Sequence, residues 1–144
     1  MVKSKQLLTF GGIFAGVGVA LGAFAAHGLK QSLSPYLLEV FNTGVQYQFI
    51  HALAILLCGV LLSVGMAEKA QKYFALAANC FIIGIFCFSG SLYALALTGI
   101  KWFGPITPFG GLTFMLGWGL FVFAALQINC LLYTSDAADD SLRV

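Results

Sequence analysis

The chain has 144 residues, 60% hydrophobic and 8% charged, with a formal net charge of +2. A soluble domain carries about 25% charged residues, so this chain cannot cover a globular surface with charge, and lipid must take the place of water. The length leaves room for about four spans of ~20 residues with short loops and no large soluble domain besides. The small charge leaves no footprint for nucleic acid.

Lys3 and Lys5 precede an apolar run from Leu7 to Ala26. A signal-peptide core has about 7–15 apolar residues, so this longer run reads as an uncleaved first span, residues 7–27. Gly12 and Gly16 stand four apart, as do Gly18 and Gly22. That spacing lines small side chains along one helix face and lets another backbone come close. His27-Gly28 closes the span, with glycine suited to a helix end. Ser34-Pro35 then opens a helix, Ser as cap and Pro in the first turn. Residues 35–42 are expected to form a short helix in the membrane interface, turning inward near Gly44.

The second span is expected over 45–66. Gly44, Gln48, His51, Ile55 and Cys58 recur at steps of four and three, which puts them on one face. Two polar groups on that stripe should face other helices, because unpaired polar groups are costly in lipid. Residues 67–72, AEKAQK, read as a hydrophilic loop, and 73–99 as the third span. Ser89, Ser91 and Tyr93 lie near its far end, with Ser89 and Tyr93 one turn apart. Trp102 in the next loop is an interfacial anchor. Thr107 just precedes the fourth span, 109–129. Cys58, Cys80 and Cys87 sit in apolar runs, where cysteine acts as a small hydrophobe. None of the four cysteines has metal-ligand spacing.

From Cys130 the character changes to CLLYTSDAADDSLRV. Cys130 to Asp140 resembles, without a gap, the translation of a transposase sequencing adapter. Residues 130–144 are therefore read as a non-native tail and 1–129 as the membrane domain. Lys3, Lys5, Lys69 and Lys72 fall on one side and Lys30 and Lys101 on the other. The positive-inside rule then puts both termini in the cytoplasm. His27, Gln46, Gln48, His51, Ser89, Ser91, Tyr93 and Thr107 gather toward the other end, as a polar cluster at the extracytoplasmic mouth.

LGAFAAHGLK, FNTGVQYQFIHALAILL, FSGSLYALALTG and ITPFGGLTFMLGW, in that order, resemble the YgdD-like family of small bacterial inner-membrane proteins, domain of unknown function 423. The likeness spans roughly residues 7–128. It implies a four-helix membrane protein with no assigned activity. Ala25 departs from the glycine common in the first block, and the basic tail usual after the fourth span is replaced.

The fold expected is all-α, an integral membrane four-helix bundle. The role expected is structural or accessory, the cluster serving as interhelical hydrogen bonds. The alternative is a small-solute, ion or lipid binding or transport protein that uses the same cluster. Two histidines with no carboxylate in a span make neither a metal site nor a triad, and Ser89-Gly90-Ser91 is not a nucleophile elbow. No catalytic residue, metal or cofactor is expected. The partner expected is the bilayer; a homo-oligomer and the identity of any ligand stay open.

Overall fold

The computed structural model describes residues 3–141, with side chains described through Ile128. The adapter-like tail, residues 130–144, thus lies wholly outside the described side chains. Every regular element among the described residues is helical: α1 (Ser4–Phe24), a π-helical turn (Ala25–Leu29), α2 (Pro35–Ser63), α3 (Glu68–Gly84), a π-helical turn (Ile85–Ser89), α4 (Gly90–Thr98), a 3-10 turn (Lys101–Phe103) and α5 (Ile106–Ser141). The first π turn continues α1 without a break, and the second joins α3 to α4 without a break. Four helices are long and apolar enough to cross a membrane: Ser4–Leu29, Pro35–Ser63, Glu68–Thr98 and Lys101–Ile128.

The expected interfacial helix is absent as a separate element. Residues 35–42 are the first turns of α2, which runs unbroken to Ser63. Ser34 caps it, accepting a hydrogen bond from the Leu37 amide at 3.3 Å. Thr43 stays within the helix by donating to the Glu39 carbonyl at 2.9 Å. Gly44 keeps helical geometry within α2 as well, and among the described residues positive φ occurs only at Gly65 and Gly99. Its missing side chain answers a packing need: a Cβ there would lie 2.8 Å from the Tyr93 ring. Residues Glu68–Lys72, expected as a loop, form the first turn of α3, and the connection shrinks to Val64–Ala67. At its other end the third span stops at Gly99, left-handed at φ 70°, whose amide bonds the Leu95 carbonyl at 2.8 Å.

Helices α2 and α3–α4 form the centre; α1 packs on α2, and α5 packs on α3 and the second π turn. Both outer pairs use one device, a glycine opposite a bulky residue, made twice. On α1 and α2, a Cβ at Gly11 would meet the Leu56 side chain at 2.7 Å, and one at Gly59 would meet Leu8 at 2.9 Å. Between α3 and α5, Gly84 receives Phe114, while a Cβ at Gly117 would lie 2.6 Å from the Phe81 ring. Ser4 adds a hydrogen bond to the Gly59 carbonyl at 2.7 Å.

The face of α1 turned to α2 carries Ser4, Gly11, Gly18 and Ala25, a sevenfold recurrence of small residues. This is the period of helices that cross at shallow angles. Of the four glycines picked out for packing, Gly18 and Gly22 touch α2, with Cβ positions 3.4 Å from Phe49 and 3.5 Å from Val45. Gly12 and Gly16 point away from the bundle, and a Cβ at either would meet nothing within 4 Å.

Candidate functional site

The polar side chains form a ladder across the helices. Its first rungs join α4 and the second π turn to α2. Ser89, fully buried, donates to the Gly44 carbonyl at 2.7 Å. One turn on, the Tyr93 hydroxyl donates to Gln48 Oε1 at 2.8 Å. Gln48 passes the chain onward, its Nε2 donating to the Phe14 carbonyl of α1 at 2.9 Å. Gly18 lies beside that reach, and a Cβ at this position would sit at ordinary contact, 3.6 Å from the Gln48 amide nitrogen. One buried glutamine therefore ties three spans together.

The next rung joins α2 to α5. The Trp118 indole N–H lies 3.1 Å from His51 Nε2, and His51 Nδ1 lies 2.7 Å from the Tyr47 carbonyl. An indole nitrogen can only donate and a carbonyl can only accept. His51 is therefore a neutral imidazole with its proton on Nδ1. Its ring stacks on Phe114, centroids 3.5 Å apart and planes within 7°. The last rung joins α4 to the start of α5. The Ser91 hydroxyl donates to the Phe88 carbonyl at 2.9 Å, which leaves the Thr107 hydroxyl to donate to Ser91 at 2.7 Å.

His27 and Gln46 are not brought into the ladder. Both are exposed. Gln46 instead lines a groove of about 720 Å³ between α2 and α5, together with His51, Phe114 and Trp118. The ladder also runs deeper than the mouth of the bundle. Because α2 starts at Pro35, the exposed, charged Glu39 and the terminal Ser63 stand equally far from His51, roughly 18 Å along the helix. Ser91 and Thr107 mark the loop end, and His51 and Trp118 the middle of the spans.

Trp118 and the Phe14 carbonyl are the members that sequence reasoning missed. The tryptophan did carry a signal, because its N–H needs a partner wherever the ring is buried. A backbone carbonyl carries none. Within the described residues no buried side-chain nitrogen or oxygen lacks a hydrogen-bond partner, and no group of three or more His, Cys, Asp or Glu is placed to hold a metal ion. Both imidazole nitrogens of His51 are engaged, and Ser89 faces a carbonyl. The arrangement therefore offers neither a free base nor an activated nucleophile.

Residues 21–111 match the family described as "Protein of unknown function (DUF423)". The chain belongs to this family. The family match takes in Gln48, His51, Ser89, Tyr93 and Thr107 and stops short of Trp118. Among its relatives, the UPF0382 membrane protein YwdK of Bacillus subtilis is 38% identical, over 85% of this chain and 98% of its own length. The UPF0382 inner membrane protein YgdD of Escherichia coli K12 is 36% identical, over 89% of this chain and 95% of its own length. A UPF0382 membrane protein of Haemophilus influenzae is 44% identical, over 81% and 87% respectively. No solved structure matches the chain.

Proposed function

We propose that this protein is a multi-pass inner-membrane protein with a structural or accessory role and no enzymatic activity, in which the ladder clasps the four spans in register. The observation that carries this reading is the complete pairing of the described buried polar side chains. Lipid supplies no hydrophobic drive between helices, so close packing and interhelical hydrogen bonds must set which faces meet. The ladder joins α1 to α2, α2 to α4, α2 to α5 and α4 to α5.

A double-mutant cycle tests it. Gln48→Ala and Tyr93→Phe are each expected to lower the thermal stability of the protein in detergent, and the pair to show a coupling of about 0.6–2 kcal/mol. If both variants keep full stability while a cellular phenotype is lost, the clasp gives way to a binding role. That second reading, a small-solute, ion or lipid site, draws on the groove beside the ladder, where Gln46 and the His51 ring line one wall.

Both termini belong in the cytoplasm on this proposal, supported by Lys3, Lys5, Lys69 and Lys72 at one end against Lys30 and Lys101 at the other. A cysteine placed at the exposed Lys69 is expected to react with an impermeant maleimide only after the membrane is opened. Labelling of intact cells would reverse the orientation.

A further inference from the structure

We propose that the groove between α2 and α5 is a lipid site: it holds one acyl chain of an anionic phospholipid, whose headgroup lies at Lys101. This inference rests on the membrane placement of the spans and not on the ladder being structural. The groove runs along α5 from Pro108 at the loop end to Trp118, about 15 Å at the rise of a helix. That is half the ~30 Å hydrocarbon thickness of a bilayer, the depth of one leaflet. Its inner end is lined by the hydrogen-bonded His51 and Trp118, at the middle of the spans.

The lining grades from polar to apolar in the same direction as a phospholipid. Above the groove, Lys101, Trp102 and Pro105 form a hollow of about 300 Å³. The helical turn through Gly104 leads straight into α5, the Thr107 amide bonding the Gly104 carbonyl at 3.2 Å. Lys101, Trp102 and Pro105 immediately precede α5, whose Pro108, Leu112 and Met115 line the groove. Gln46, exposed and outside the ladder, lines the groove wall roughly 10 Å along α2 from Glu39, within reach of an ester carbonyl. Below it lie Ile50, Leu112, Met115 and the aromatic floor. The charge at that end is also of the right sign, with Lys30 and Lys101 against Glu39.

Trp118 is a built-in reporter. The chain has two tryptophans, so a Trp102→Phe background isolates Trp118 fluorescence. The protein is reconstituted in phosphatidylcholine vesicles containing a small fraction of phosphatidylglycerol or of phosphatidylcholine brominated midway along the chains. Brominated phosphatidylglycerol is expected to quench Trp118 at about fivefold lower mole fraction, the factor that one lysine near an anionic headgroup confers. Lys101→Gln, on an exposed residue, is expected to abolish that preference and leave quenching by phosphatidylcholine unchanged. Gly111→Leu fills the groove, since a Cβ there comes no closer than 3.9 Å to Phe88, and it is expected to weaken quenching by both lipids. Equal quenching by the two lipids, untouched by either substitution, overturns the proposal. So does weak quenching by both lipids together with a cross-linked dimer through Met115→Cys, which would make the occupant a second copy.

Discussion

Gly110→Ala is expected to lower the stability of the protein in detergent by about 3 kcal/mol or more, at the upper end of what one added methyl costs in a filled core. A Cβ at Gly110 would fall on the backbone of Phe88, in the π turn that joins α3 to α4. Most other tight glycines face the ends of side chains. At Gly117 the nearest neighbour is the Phe81 ring, at 2.6 Å, and at Gly44 the Tyr93 ring, at 2.8 Å, groups that can rotate or shift. Backbone held within a continuous helix cannot, so α5 itself must move. That movement would pull Thr107 from Ser91 and Trp118 from His51, breaking two rungs through a residue that belongs to neither. Gly12→Ala is the control, since its added methyl meets nothing and should cost less than about 0.5 kcal/mol. Thermal unfolding of the two variants side by side decides the matter. Equal shifts would mean that the close approach of α5 to the π turn carries no energy.

The contrast between Gly110 and Gly12 also shows which features were legible in the sequence. Four spans were legible because apolar runs of this length have few other uses. The pairing of Ser89 and Tyr93 with the α2 stripe was partly legible, since both sets repeat at one-turn spacing and polar groups in lipid must find each other. Spacing alone did not say which face of α1 meets α2. Gly11 and Gly12 differ by one residue, a rotation of about 100°, and only the first is in contact. Gly44 was misread for a related reason. A glycine before an apolar run signals a turn, yet the same residue also clears space for a ring, and Tyr93 lies far away in the chain. With α2 running straight through Gly44, the polar cluster extends from the loop end down to the middle of the spans. The π turns at Ala25–Leu29 and Ile85–Ser89 left no trace in residue type, because the wider i→i+5 turn is a local backbone adjustment and not a residue preference.

His51→Ala is expected to destabilise the protein by about 3 kcal/mol, combining a cavity with an orphaned donor. The imidazole is 3% exposed and fills the space between Phe114 and Trp118. Its loss leaves Phe114 without its stacked partner and the Trp118 N–H without an acceptor. His51→Phe separates the two effects. It restores a ring against Phe114 while leaving the indole unpaired, and should cost about 1–2 kcal/mol. The difference between the variants measures the stack and the cavity; what remains of the His51→Phe cost measures the hydrogen bond. Trp118 emission, read in the Trp102→Phe background, should change in both variants, because both remove the acceptor. A His51→Phe protein as stable as the parent would show that the α2–α5 rung holds by packing alone. The clasp would then rest on the Gln48 branch and on the Ser89–Gly44 and Ser91–Thr107 bonds, and the imidazole would be the first residue to test for a bound ligand.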